Sequence, residues 1–317
     1  MHNHDEHEHH HHHDSEAADI PVDRMAVCPV TGDAIDTVEA EKLGHFRDVD
    51  GKRIYLCCAT CVQLFDKNPE QYTDHHLGHE HHHHTPTTAT LRFRLKEKEH
   101  LTDNIWAFRF TADQPLSWTP GQFIRIEIPH DNPDEEGTKR WFTISSTPHD
   151  GFIQVTTRVT STTFKQALAA LAVGDEVRLI EQPDGDFVWQ ESDKPLVFIA
   201  GGIGITPFYS MLKARGHSGQ PVSATLIYNG RTDELPFKVE FEEASRRHPE
   251  FKVHYVIGEQ LTTEKLTELV PNISSSQVYI SGAESIVEAL GRQLEENGLA
   301  NDNVHQDFFP RYNEESY

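Results

Sequence analysis

The sequence predicts a multidomain chain: a small α+β knuckle, then an antiparallel β-barrel, then an α/β domain on a parallel sheet. Three observations carry this. All four cysteines fall between Cys28 and Cys61. Residues 89–190 hold short segments of strict alternation, such as Leu91, Phe93 and Leu95, or Ile124, Ile126 and Ile128, the period-2 signature of half-buried strands. From Lys194 the alternation gives way to continuous apolar runs separated by helical stretches, which is how strands buried on both faces read. The boundaries follow from composition: a His-rich disordered tail over 1–24, the thiol unit over 25–74, a His-rich linker over 75–88, the barrel over 89–192 and the α/β domain over 193–317.

Composition narrows the function classes. At 317 residues the chain has room for two or three domains. A net charge of −23 argues against nucleic acid and anionic membrane as partners. No run of eighteen apolar residues is present, so no membrane span is expected. The acidic, His-laden start does not read as a secretory signal, and the expected location is cytoplasmic. The C-x4-C-x2-C spacing of a plant-type iron–sulfur site is absent, which excludes such a ferredoxin domain.

The first tract, His2 to His13, and the second, His75 to His84, have acidic residues interleaved. That pattern fits a weak multi-site metal buffer, with an inert linker as the alternative. Between them, Gly44 to Cys58 reads as a hairpin turning at Asp48-Val49-Asp50-Gly51, followed by a helix from near Ala59 to the break at Pro69. Cys57 and Cys61 sit four apart at that helix start, where thiol pKa values fall. A cluster of Cys28, Cys57, Cys58 and Cys61 in a reducing compartment favours a metal ion (zinc, copper or iron) over disulfides, with packed core cysteine as the alternative.

Cys28-Pro29-Val30-Thr31-Gly32, Gly51 to Cys58, Cys61, Phe65 and Asn68-Pro69-Glu70-Gln71-Tyr72 together resemble the YHS domain family, relatives of the TRASH metal knuckles. The resemblance implies metal handling, with Cys28, Cys57 and Cys61 at the knuckle positions and Cys58 as a fourth ligand or a packed thiol.

In the barrel, Arg140-Trp141-Phe142-Thr143-Ile144-Ser145-Ser146 carries the chemistry. Alternate residues of a strand share a face, so Arg140 and Phe142 point one way and Thr143 the other. A guanidinium clamps phosphate, a ring lies beside a flat cofactor, and a hydroxyl bonds a ring nitrogen. A helix expected over Thr163 to Val173 starts with Ser161, Thr162 and Thr163, hydroxyls and N–H groups suited to an anion. In the last domain, Gly201-Gly202-Ile203-Gly204-Ile205-Thr206-Pro207 follows an apolar strand. Its glycines let backbone approach a pyrophosphate, with Thr206 expected as N-cap and Pro207 as first helical residue. It is not the G-x-G-x-x-G fingerprint. Ser281-Gly282-Ala283 ends a later strand.

These stretches, in this order, resemble the ferredoxin–NADP reductase superfamily over 89–317. Arg140, Phe142, Thr143 and Ser146 match R-x-[YF]-[ST]-x-x-S; Gly201 to Pro207 match G-G-x-G-[IV]-[ST]-P; Ser281-Gly282-Ala283 match [CS]-G-[PA]. The resemblance implies FAD and NADH or NADPH as cofactors. Arg140 would pair with the flavin pyrophosphate, Phe142 would pack beside the isoalloxazine, and Thr143 would bond flavin N5. Thr157, Arg158 and Val159 would touch the rest of the flavin, and Ser161, Thr162 and Thr163 the pyrophosphate. Gly201, Gly202, Gly204, Thr206, Ser281 and Gly282 would line the nicotinamide site, Arg231 would meet the ribose or 2′-phosphate, and Asp307-Phe308-Phe309-Pro310-Arg311-Tyr312 would be an aromatic tail over the flavin, with a last core strand as the alternative reading of Phe308 and Phe309.

The expected activity is therefore hydride transfer from NAD(P)H to FAD, then electron transfer to an acceptor, a metal ion or metal-loaded partner. Two alternatives stand beside it: a reductase for an external redox protein with the thiol unit as a structural zinc knuckle, and a metal-sensing or storage protein with a minor redox role.

Overall fold

In a computed structural model, described over residues 24–30, 34–49, 51–56, 61–62, 65–66, 69, 72, 91–134 and 137–309, the chain divides into two compact units, Met1–Thr87 and Thr88–Tyr317. The first unit opens with β1 (Met25–Val27) paired antiparallel to β2 (Ala34–Asp36). A short helix follows, α1 (Thr37–Leu43), which the sequence reading did not anticipate. Its ends are nonetheless well specified. Asp36 caps it by accepting from the Val38 N–H at 2.9 Å, and Gly44, at φ 71°, closes it in the left-handed conformation. The expected hairpin is present as β3 (Phe46–Val49) and β4 (Lys52–Tyr55), with Val49 opposite Lys52 across the turn. Cys28, Ile35, Ala40, Leu56, Cys61 and Phe65 pack as one buried cluster.

The second unit begins with six antiparallel strands: β5 (Arg92–Thr102), β6 (Ile105–Ala112), β7 (Phe123–Glu127), β8 (Lys139–Thr143), β9 (Ile153–Arg158) and β10 (Glu176–Asp184), with the helix α2 (Thr163–Ala170) between the last two. Their order is β8-β7-β10-β5-β6-β9. The ends meet where Ile144 bridges Val155 and the Ser145 N–H donates to the Gln154 carbonyl at 2.8 Å, so the sheet closes into the expected barrel. Phe93, Phe108, Phe110, Phe142 and Phe164 fill it.

A parallel sheet follows: β11 (Leu196–Gly201), α3 (Thr206–Ser218), β12 (Ala224–Gly230), α4 (Lys238–Arg247), β13 (Phe251–Ile257), α5 (Thr263–Leu269), β14 (Gln277–Ala283), α6 (Glu284–Glu296) and β15 (Val304–Phe309). The order is β13-β12-β11-β14-β15, all parallel. Phe198, Leu226 and Tyr279 pack on one face and Val197, Ile199, Ile227 and Ile280 on the other, so both faces are covered and the strands read as continuous apolar runs. Counted from β11, the order is 3-2-1-4-5. It reverses direction between β11 and β14, and a sheet of this kind binds its ligand at the carboxyl ends of those two strands.

The barrel is joined to the sheet at a tight turn. The Gly121 N–H donates to Ser210 Oγ on α3 at 3.1 Å, and a Cβ on Gly121 would lie 2.1 Å from the Phe187 carbonyl oxygen. With φ at 106° this position admits only glycine. Among the described residues no helix is long and apolar enough to cross a membrane.

Candidate functional site

Arg140 lies on β8 with its guanidinium half-sunk over the Phe164 ring, 5.0 Å from the centroid. It donates to the Gly137 and Lys139 carbonyls at 3.0 and 2.8 Å and pairs with the Asp134 carboxylate. Asp134 in turn donates its backbone N–H to Thr163 Oγ1 at 3.2 Å, and His130 Nε2 lies 3.1 Å from the same oxygen. Asp134 therefore links the Arg140 cation, through its carboxylate, to the first residue of α2, through its backbone N–H, which places a cation and a helix N-terminus near one another. Ser161 and Thr162 are exposed beside them, and Thr162 is the N-cap of α2 with no side-chain cap bond.

Two residues along, Phe142 is buried against Phe164, centroids 6.0 Å apart. The Lys165 ammonium lies 4.4 Å from the Phe142 centroid and donates to Thr157 Oγ1. Thr143, on the opposite face of β8, is 6% exposed and pairs with Phe123 of β7. Ser146 braces the barrel. Its Oγ accepts from the Gln154 N–H at 2.9 Å and its carbonyl from Trp118 Nε1 at 3.2 Å. Arg158 turns to Asp103 and Asn104 at the β5–β6 turn.

At the sheet, Gly201 ends β11 and Gly202 to Ile205 form a 3-10 turn that runs straight into α3. Thr206 is not the N-cap expected from the sequence. Ile205 takes that position, and Thr206 is already helical at φ −59°, its hydroxyl donating to the Ile203 carbonyl at 3.1 Å. The 3-10 turn supplies the entry, so no side-chain cap is required. Gly204 is the point of closest approach. A Cβ there would lie 2.2 Å from the Ser281 carbonyl oxygen and 2.7 Å from the Gly282 nitrogen. The two glycine-bearing stretches therefore touch at the ends of β11 and β14, where the strand order reverses. Arg231 follows β12, exposed, beyond Gly230, whose carbonyl accepts from the Gly258 N–H at 2.9 Å.

The sequence reading missed the partner of Ser281. In the β14–β15 ladder Ser281 stands opposite Asp307, and its hydroxyl donates to Asp307 Oδ2 at 3.0 Å. Burial pushes the Asp307 carboxyl up to about 6; the Ser281 hydrogen bond pulls it down and the Asp186 carboxylate pushes it further up. Phe308 and Phe309 belong to β15, and the Phe309 backbone pairs with Ala283; the Phe309 side chain and the tail beyond it lie outside the described residues.

Of the thiols, Cys28 and Cys61 are buried in the same cluster, while Cys57, Cys58 and the His tracts lie outside the described residues. Among the described residues no group of three or more His, Cys, Asp or Glu is placed to hold a metal ion, so the expected metal site is not supported there.

The chain therefore combines a barrel that carries an arginine, an aromatic ring and a hydroxyl on one strand with a 3-2-1-4-5 parallel sheet. Comparison with known proteins assigns each part to a class of domain. Residues 92–189 match the family model of the oxidoreductase FAD-binding domain, and residues 198–291 that of the oxidoreductase NAD-binding domain. Flavohemoprotein A of Dictyostelium discoideum is 28% identical over 237 residues, 68% of this chain and 59% of the relative. The glycine betaine monooxygenase reductase subunit of Chromohalobacter salexigens is 28% identical over 229 residues, 66% of this chain and 61% of the relative. The fold is shared with ferredoxin–NADP+ reductase from Plasmodium falciparum, at TM-score 0.59 and 19% identity over 69% of this chain and 96% of that one. The chain thus carries segments that match the oxidoreductase FAD-binding and NAD-binding domains, and it spans about three fifths of the length of the curated relatives it matches (59% and 61% in these two).

Proposed function

We propose that the chain is a reductase that takes electrons from NADH or NADPH through FAD and passes them to a separate redox protein, of the kind that serves an oxygenase. The observation that carries the nicotinamide half is the Gly204 approach to Ser281 and Gly282, a cradle that a single methyl would fill. The flavin half is supported by its donor set. Arg140 and the start of α2 suit the pyrophosphate, Phe142 the ring, and Thr143 and Thr157 the ring's polar edge. FAD bound there would accept a hydride at N5 and hand electrons on. The chain's own part is to bind, orient and exclude water: the glycine cradle brings the nicotinamide to a fixed place, and preorganisation of this sort makes transfer effectively unimolecular. The acceptor is proposed from the relatives, one of which is named as the reductase subunit of a monooxygenase.

A second reading keeps a metal ion as the acceptor or cargo. It is favoured by one observation, the burial of Cys28 and Cys61 in a single cluster. Anaerobic titration of the FAD-loaded protein with NADH and NADPH tests the main reading, with bleaching of the flavin band expected. A protein that retains no flavin, or whose flavin neither nucleotide reduces, refutes it. Metal analysis of the parent and Cys28→Ser/Cys61→Ser chains tests the second: equal metal content removes it.

A further inference from the structure

The flavin seat contains a second cation that the motif residues do not account for. Lys165, third residue of α2, is 9% exposed, and its chain runs inward rather than to solvent. Its ammonium is held by two groups: it donates to Thr157 Oγ1, on a residue 2% exposed, and it lies 4.4 Å from the centroid of Phe142. Phe142 and Thr157 are among the side chains proposed above, with Thr143, to face the isoalloxazine. Arg140 stands over Phe164 at 5.0 Å, and Phe164 and Phe142 are 6.0 Å apart, so the two cations occupy neighbouring rings of one seat. Arg140 is already committed to the phosphate end by its place beside Thr163 and Asp134. Lys165 is the cation at the ring end.

We propose that Lys165 tunes the reduction potential of the bound flavin. This rests on the flavin reading given above. A hydride from NAD(P)H carries one proton and two electrons; its transfer leaves NAD(P)+ and adds one negative charge to the flavin ring. In a site of low effective dielectric an ammonium near that ring stabilises the charged, reduced form and leaves the neutral, oxidised form little changed. The hydroxyl of Thr157 holds the ammonium in place, and the Phe142 ring supports it as a cation–π partner without neutralising it.

The test compares the midpoint potential of FAD in the full-length parent, Lys165→Met and Lys165→Arg proteins, with FAD affinity measured alongside. Lys165→Met is expected to shift the reduced-to-oxidised ratio at least tenfold towards oxidised flavin, about 30 mV for a two-electron couple, with the affinity for oxidised FAD changed less than that. Lys165→Arg, which keeps the charge, is expected to stay near the parent. If Lys165→Met does not fold, Thr157→Val carries the test through the loss of the ammonium's anchor, with a smaller shift of the same sign. Retained flavin with one potential across parent, Met and Arg proteins, or across parent and Thr157→Val, overturns the assignment. A parent protein that retains no flavin overturns the flavin reading instead, so the two failures are distinguishable.

Discussion

Gly204→Ala is the sharpest perturbation the structure offers. The added Cβ would lie 2.2, 2.5 and 2.7 Å from the Ser281 oxygen, the Ser281 carbonyl carbon and the Gly282 nitrogen. Non-bonded carbon contacts settle near ~3.5 Å, so the two backbones must part by about 1 Å. Neither is free to do so. Ser281 is laddered to Ala200 on one side and Asp307 on the other, and Gly204 is fixed between β11 and α3. Overpacking of this kind costs about 3 kcal/mol. For a unit of this size that lowers Tm by about 6–12 °C. A displacement of about 1 Å in a positioning element also costs on the order of a hundredfold in transfer rate. Gly216, in α3, has nothing within 4 Å of its would-be Cβ, so Gly216→Ala should instead stabilise by about 0.5–1 kcal/mol. Differential scanning fluorimetry and anaerobic stopped-flow reduction of the bound flavin read both quantities. If Gly204→Ala matches Gly216→Ala in Tm and in reduction rate, the two loops are not in the contact described and the cradle does not form.

Three further outcomes are expected. Asp307→Asn keeps an acceptor for Ser281 but removes a carboxyl whose folded pKa is raised from 3.8 to about 6. A raised acid is costly once ionised, so parent stability should fall as pH rises from about 4 to 6, and the Asn chain should be the more stable above pH 6 by ~2–3 kcal/mol, with no advantage below about pH 4; thermal melts at pH 4, 5 and 8 check the sign. Asp134→Asn removes the carboxylate paired with Arg140 and should tighten FAD binding about tenfold (~1.4 kcal/mol) while leaving riboflavin, which has no phosphate, unchanged; equal gains for both flavins would rule out competition between Asp134 and phosphate for Arg140. Thr143→Val should keep FAD bound yet slow its reduction by NAD(P)H about fivefold, the worth of one hydrogen bond of ~1 kcal/mol, and a parental rate in stopped flow would move the N5 contact elsewhere.

What the sequence disclosed was local. Alternation located β5, β6, β7 and β9 because alternate residues of each carry the barrel's apolar core. Continuous apolar runs located β11, β12 and β14 because helices cover both faces. The glycine stretches were legible because their spacing is local as well. The helix α1 was missed even though Asp36 and Gly44 mark its ends. With Val38 and Leu43 exposed and Ala40 its buried residue, its seven residues carry too weak an apolar stripe to outweigh a loop reading.

What stayed hidden was long-range. Ser281 and Asp307 are neighbours because β14 and β15 run parallel in one register, across the length of α6. Asp134 meets Thr163 and Lys165 meets Phe142 across the barrel, whereas the Asp134–Arg140 and Lys165–Thr157 pairs are made by the shorter β7–β8 and β9–α2 connections. No pattern within a strand or helix encodes those meetings. Each brings a charged group into a partly buried site, where one charge outweighs several neutral contacts. The proposed cofactor site therefore joins motif residues that were legible in the sequence to Asp134 and Lys165, which lie outside those motifs and whose effects on FAD affinity and potential the variants above measure.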